Sequence, residues 1–384
     1  MFKIMYPSQD ATLYQADPKV NTGADEILEI GKRLSNIGGE AGFSLSRSLI
    51  KFDMTEVSQS LSKYNTSVND CKFILKLYTT HAKGLPSHYT IDANVVAQNW
   101  TNGTGFINYQ FPVDDGCSWN KPVSGSTAFW SSSAADINFP IGSNFHINGS
   151  GSDPGQGGSW LYEKSPSSPT QGGTHFTESF SNRPSDLTID VTDAVKLWIS
   201  GSDGYIAPNH GFILKFSDAD ESNISVSGFI RFFSRESHTV YVPRLVMMFD
   251  KSSFETGSMS QIDLDSYAIH TTLKKSYKDT EISKIRIYGR NKYPQKSATN
   301  LFPVQTVNYI PSSSLYSIID AATDEVVIPY DKDYTKVSCD EKSNFINLDM
   351  SGLMPERYYR IEFKVVDGIL EEYISDKFFF KVTR

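Results

Sequence analysis

The chain is short of the features that usually mark an enzyme or a nucleic-acid-binding protein. It holds three cysteines, Cys71, Cys117 and Cys339, far apart and without Cys-x-x-Cys spacing. No disulfide framework or thiolate metal site is spelled out, and an odd count of scattered thiols suits a chain folded in a reducing cytosol. Histidine is sparse too: His81, His88, His146, His175, His210, His238 and His270 form no His-x-His or His-Glu-x-x-His pattern. There is no phosphate-binding loop and no dinucleotide fingerprint. The run Gly149-Ser150-Gly151-Ser152 has the residue types of a nucleophile elbow at the wrong spacing, with no strand–turn–helix around it. Lysine and arginine form no run, and a net charge of −8 argues against a basic nucleic-acid surface. No apolar stretch reaches the roughly 18 residues of a membrane span, and MFKIMYPSQDATLY has no apolar core of signal-peptide length. These absences predict no catalytic centre, no cofactor, no metal, no nucleic-acid partner and no membrane span.

What is abundant is aromatic residue, 20 Tyr and 24 Phe, which favours strands and sheet faces. The length of 384 residues suits two domains. The organising stretch is Leu45–Asp53, LSRSLIKFD. Leu45, Arg47, Leu49, Lys51 and Asp53 share one face, and Ser46, Ser48, Ile50 and Phe52 the other. Period two with apolar residues on both faces predicts a central β-strand covered on each side. Residues 54–70 are polar and read as a loop with at most one helical turn. CKFILKLYT (71–79) and YTIDANVVA (89–97) read as further strands.

Residues from about 120 to 180 differ in kind. GSGSDPGQGGSW and SPSSPTQGG cannot bury much apolar area, so a long surface insertion is expected. DVTDAVKLWIS (190–200) is the one clear helix, with Val191, Ala194, Val195 and Trp198 on one stripe and Asp190 at the N-cap position. GFILKFS (211–217), GFIRFFS (228–234) and YVPRLVMMF (241–249) read as core strands. The polar KSSFETGSMSQ (251–261) marks a domain boundary. Beyond it seven short strands are predicted, at 267–273, 282–288, 315–320, 326–330, 345–348, 358–366 and 377–382, the number expected of an immunoglobulin-like sandwich.

With those elements in order, residues from about 6 to 250 resemble the DNRLRE family of jelly-roll modules. The pieces that carry it are DATLYQADPKVNTG, SRSLIKFD, CKFILKLY with YTIDANVVAQNW, GCSWNKP, DLTIDVTDAVKLWISG, HGFILKFS and FFSRESHTVYVPRLVMMF. Phe233, Ser234, Arg235, Glu236, Pro243 and Leu245 match the family's closing motif. Gly352, Leu353, Pro355, Tyr358 and Tyr359 resemble the turn and strand of fibronectin type III or immunoglobulin-like modules. Bacterial DNRLRE modules sit on exported proteins, whereas this combination is similar to virion structural proteins of tailed phages, which assemble in the host bacterial cytoplasm.

The expectation is therefore an all-β chain: a jelly-roll β-sandwich with one short helix over 1–250, interrupted at about 120–180, and an immunoglobulin-like sandwich over 262–384. Arg47, Arg235 and Glu236 are expected to form a structural ion pair tying strand ends together, and Asp53 and Trp198 to be structural. Asp218, Asp220 and Glu221 suit either a solvated acidic turn or a calcium loop. Phe129, Trp130, Phe145, Trp160 and Tyr162 are the interaction candidates in the insertion, with Trp130 and Trp160 expected to be exposed. The function the resemblance implies is non-enzymatic: a virion component of the neck, tail, baseplate or capsid surface, in multiple copies in a ring or shell, contacting other virion proteins. The alternative is a carbohydrate-binding module for a host surface glycan, with the insertion's indoles as stacking platforms.

Overall fold

The computed structural model describes residues 1–37, 40–107, 115–125, 129–131, 145–150, 156–163, 173–181, 184–201, 206–375 and 378–384. Side chains are not described for residues 36–41, 145–146, 148–150, 156, 162–163 and 304. The backbone divides into two compact units, residues 5–246 and residues 1–4 with 247–384. Residues 1–4, assigned to the first domain from the sequence, thus belong to the second unit. The expected linker lies inside that unit, with Phe254 bridged to Cys339 and Gln261 to Tyr309.

In chain order the strands up to residue 249 are β1 (Phe2–Met5), β2 (Pro7–Tyr14), β3 (Ile27–Ile37), β4 (Glu40–Phe52), β5 (Cys71–Leu77), β6 (Thr79–Lys83) and β7 (His88–Val95). They continue with β8 (Phe145–Ser150), β9 (Gln156–Glu163), β10 (His175–Ser181), β11 (Leu187–Asp190), β12 (Phe212–Phe216), β13 (Gly228–Phe233) and β14 (Arg244–Phe249). An eight-stranded antiparallel sheet runs β10-β7-β12-β4-β3-β13-β6, with β2 also on β4. A four-stranded sheet runs β1-β14-β5-β11, and β8 and β9 form a hairpin. The organising stretch is central: β2 lies along one edge of β4, and β3 and then β12 along the other. Arg47, Leu49, Ile50 and Phe52 are all buried, on both faces of the strand. In β5, by contrast, Cys71, Phe73, Leu75 and Leu77 are buried while Lys72, Ile74 and Lys76 are half-exposed, the pattern of a strand with one wet face. The chain is all-β, of sandwich type.

Two helical readings change. Residues 54–64, expected as loop, form α1 (Met54–Tyr64). Asp53 starts it, its carboxylate accepting the Thr55 N–H at 2.8 Å, and Asn65 ends it in the left-handed conformation. Val57 is buried on its inner face. The second helix, α2 (Thr192–Ile199), starts two residues late: Val191 is at the cap position, while Asp190 accepts from the Thr192 N–H and hydroxyl. Its stripe docks as expected, and Trp198 packs on Phe212 with ring centroids 4.9 Å apart.

The second unit contains β15 (Tyr267–Thr271), β16 (Ser276–Lys278), β17 (Ile282–Asn291), β18 (Leu315–Asp320), β19 (Val326–Ile328), β20 (Ser338–Asp340), β21 (Ser343–Asp349), β22 (Tyr358–Asp367), β23 (Leu370–Ile374) and β24 (Phe379–Thr383). One sheet is β15-β17-β21-β20, the other β16-β24-β22-β18-β19 with β23 on β22. The short β16, β20 and β23 were not anticipated. The turn before β22 is fixed by Tyr359, whose buried hydroxyl donates to the Met354 carbonyl at 3.0 Å. A tyrosine reaching back to the backbone at this corner is a hallmark of immunoglobulin-type sandwiches.

Candidate functional site

Directly opposed residues in an antiparallel sheet share a face. Across the strands from β10 to β2, one row reads His175, Asn94, Ile213, Leu49, Ala11. The next reads Thr177, Asp92, Lys215, Arg47, Leu13, with Lys215 one step past the Leu214–Ser48 pair and so beside Arg47. Both rows pass from polar to apolar across one face of one sheet.

The apolar end is sealed by the segments expected to be surface loop. Trp100, Trp119, Trp130 and Trp160 are buried with Cys117 over Ala11, Leu13, Leu49 and Ile213. The Trp100 indole donates to the His210 carbonyl at 2.8 Å and that of Trp130 to the Ser118 carbonyl at 2.9 Å. Asn21 holds the covering backbone, donating to the Asn102 and Cys117 carbonyls and accepting from Gly105. Gly157 and Gly158 explain why glycine recurs here: both have positive φ, and a Cβ on Gly157 would stand 2.7 Å from the Trp119 ring.

Beneath this cover lie two cations. Arg47 donates its Nε and Nη2 hydrogens side-on to Glu221, at 3.0 and 2.7 Å, and a third bond from Nη1 to the Gly157 carbonyl at 2.7 Å. Its guanidinium faces the Trp119 and Trp160 rings at 5.2 and 5.4 Å. Lys215 donates to the Phe216 carbonyl and to Asp218, each at 2.7 Å, and lies 3.4 Å from Glu221. The acids come from α3 (Asp218–Ser222), where Ser217 and Asp220 bond each other reciprocally at the N-terminus. Burial raises the Asp218 carboxyl, but the Lys215 ammonium and the Arg47 charge outweigh it and leave it below its ordinary value. The acidic segment is thus a helix whose carboxylates are largely committed: Asp218 and Glu221 to cations, Asp220 to the Thr90 N–H at 2.9 Å. Among the described residues no three His, Cys, Asp or Glu side chains gather as a metal site.

The polar end stays open as a cleft of about 280 Å³, with Thr90, Asp92, Asn94 and Thr177 on its floor and Trp160 in its wall. His175 Nε2 lies 3.2 Å from Asp92 Oδ2, and this hydrogen bond raises the imidazole above its ordinary value. The other oxygen, Asp92 Oδ1, is buried and accepts no hydrogen bond among the described residues.

Several expectations are corrected. Trp130 and Trp160 are 1% and 3% exposed and serve as core of their own chain, packed in one cluster with Trp100, Trp119 and Leu49. Phe129 is exposed beside Lys121, while the side chains of Phe145 and Tyr162 lie outside the described residues. Arg47 pairs with Glu221 instead of Glu236. Arg235 and Glu236 pair with each other at 3.0 Å, and the Arg235 N–H binds Asp10 at 2.7 Å. None of the three cysteines is in a disulfide, and all three are buried. Sequence reasoning missed Asp92, His175 and Lys215, although the alternation of Thr90, Asp92 and Asn94 in YTIDAN signals a polar strand face.

No family model matches the chain, and no curated protein matches it. Among solved structures, a Parabacteroides merdae β-glucuronidase aligns at 9% identity over 97% of this chain and 30% of its own, with a TM-score of 0.20. The same enzyme with glycerol in its active site aligns at 11% over 99% and 35%, also at 0.20. The adhesin domain of Epf from Streptococcus pyogenes aligns at 9% over 98% of both chains, at 0.16. The chain spans about a third of the glucuronidases' length, and likenesses at these scores carry no argument about this protein. No helix among the described residues is long and apolar enough to cross a membrane.

Proposed function

We propose that the chain is a non-enzymatic virion structural protein of a tailed phage. It assembles in multiple copies with other virion proteins in the neck, tail, baseplate or capsid surface, after synthesis in the host cytoplasm. The observation that carries the reading is the apolar surface of the second unit. Tyr358, Phe379 and Tyr373 are exposed on one face of β22, β24 and β23, spaced among Arg360, Glu362, Lys364 and Lys381. At the tip of the β22–β23 hairpin Ile369 is 99% and Leu370 64% exposed. Two adjacent aliphatic side chains held in water at a hairpin tip support an interaction surface, and preformed sheet surfaces suit assembly because little chain entropy is lost on docking. The glycan alternative loses its platforms, since Trp130 and Trp160 are buried.

The test is mass spectrometry of purified virions, with light scattering on the isolated chain. The chain is expected in virions in multiple copies, and the Ile369→Asp/Leu370→Asp double variant to incorporate at least about tenfold less. Its absence from virions overturns the proposal.

A further inference from the structure

We propose that the open cleft of residues 5–246 binds a neutral saccharide through hydrogen bonds, with Asp92 as the central acceptor. This goes beyond the structural role proposed above and does not depend on it. The first argument is the unmet acceptor. Asp92 is 5% exposed, and its Oδ1 is buried without a hydrogen-bond donor among the described residues. A buried carboxylate oxygen left unmatched is costly, so a ligand hydroxyl that donates to it gains more than one donating to a solvated group. The His175 imidazole, half in solvent, shares this carboxylate through Oδ2. It can turn outward and let a hydroxyl approach.

The second argument is charge. Arg47 and Lys215 are matched by Glu221 and Asp218 within the same wall. Asp92 is matched by His175 when the imidazole is protonated. The lining is therefore close to neutral, with Asp92 and Asp218 opposing an anion and Lys215 opposing a cation. The third is chemistry of the floor. Asn94 and Thr177 present amide and hydroxyl groups that both donate and accept. The cleft volume of about 280 Å³ accommodates one sugar ring.

The test follows the His175 imidazole resonance of the full-length chain by NMR, assigned with His175→Gln. Glucose, galactose, mannose and N-acetylglucosamine are titrated against glucuronate and glucosamine. At least one neutral sugar is expected to shift the resonance saturably, with the two charged sugars at least about tenfold weaker. Binding should also lower the imidazole pKa, because the ligand competes for Asp92. Asp92→Asn is expected to weaken binding about tenfold or more. Thr177→Ala, at an exposed position where folding is not at risk, should weaken it severalfold. No response to any neutral sugar overturns the proposal. So does equal binding of the charged sugars, or full affinity in both variants.

Discussion

The two ends of one sheet face use the same strands for opposite purposes. From β12 to β2 the side chains Ile213, Leu49, Ala11 and Leu13 are roofed by four tryptophans. On the next two strands, at the same register, Asn94 and Asp92 of β7 and His175 and Thr177 of β10 line open space. The boundary is where Lys215 and Arg47 lie under Trp160. Buried charge is tolerable there because each cation has a carboxylate and the indoles supply an electron-rich face. The lesson is that period-two alternation decides which face a residue takes, while a distant segment decides whether that face is sealed or open.

The comparison breaks most severely at the boundary. Glu221→Gln should cost about 3–5 kcal/mol in urea unfolding, because it strands the Arg47 guanidinium and half-strands Lys215 under the cover. Replacing both Arg47 and Glu221 by apolar residues of similar volume should recover much of that loss. If Glu221→Gln unfolds like wild type, the pair is not the support of the covered end. Gly157→Ala comes next, at about 2–3 kcal/mol, from a positive φ and a Cβ driven into Trp119. A Gly157→Ala chain as stable as wild type would mean that the cover does not rest on the indole.

Much of the fold was legible and most of the site was not, for a physical reason. Alternation in LSRSLIKFD, the stripe ending at Trp198, and the turn leading to Tyr359 are local patterns, and each formed as its spacing requires. α1 was readable in Asp53, Glu56 and Val57, but its polar composition masked the cap. The covered end was hidden because Arg47 and Glu221 are 174 positions apart. Glycine-rich composition also looks the same in a free loop and in one pressed onto a ring. That β10 would pair with β7 and bring His175 to Asp92 is a non-local fact, and no spacing encodes it.

A buried carboxylate on the opposite face of β2 sharpens the contrast. Among the described residues Asp10 forms no ion pair of the kind that holds Glu221. Burial dominates over the Arg235 amide and charge, and pushes its carboxyl up to about 7. The folded chain then keeps a proton that the unfolded chain releases near the ordinary carboxylate value of about 3.9. Stability contributed by Asp10 is therefore full below that value and falls as pH rises toward 7. Urea midpoints at pH 5 and 7 should show the decline, and Asp10→Asn should flatten it. Asp25, raised to about 6 by burial, leaves a smaller slope of the same sign. A decline that survives Asp10→Asn undiminished would assign it elsewhere.

The smallest effect decides whether the open end is built for a ligand or for the fold. Thr177 is exposed on β10, at the edge of the sheet among the described residues. Thr177→Ala should change unfolding stability by no more than about 0.5 kcal/mol, the range of an ordinary surface change. Its register partner Asp92 occupies the same row as Arg47, yet it should respond in the opposite way to Glu221. Asp92→Asn removes a buried carboxylate whose Oδ1 has no donor among the described residues, at the cost of the half-exposed His175 contact, so the chain should unfold within about 1 kcal/mol of wild type or above it. A loss of about 3 kcal/mol or more would show that Asp92 is structural, like Glu221, and that both ends of the row serve the fold.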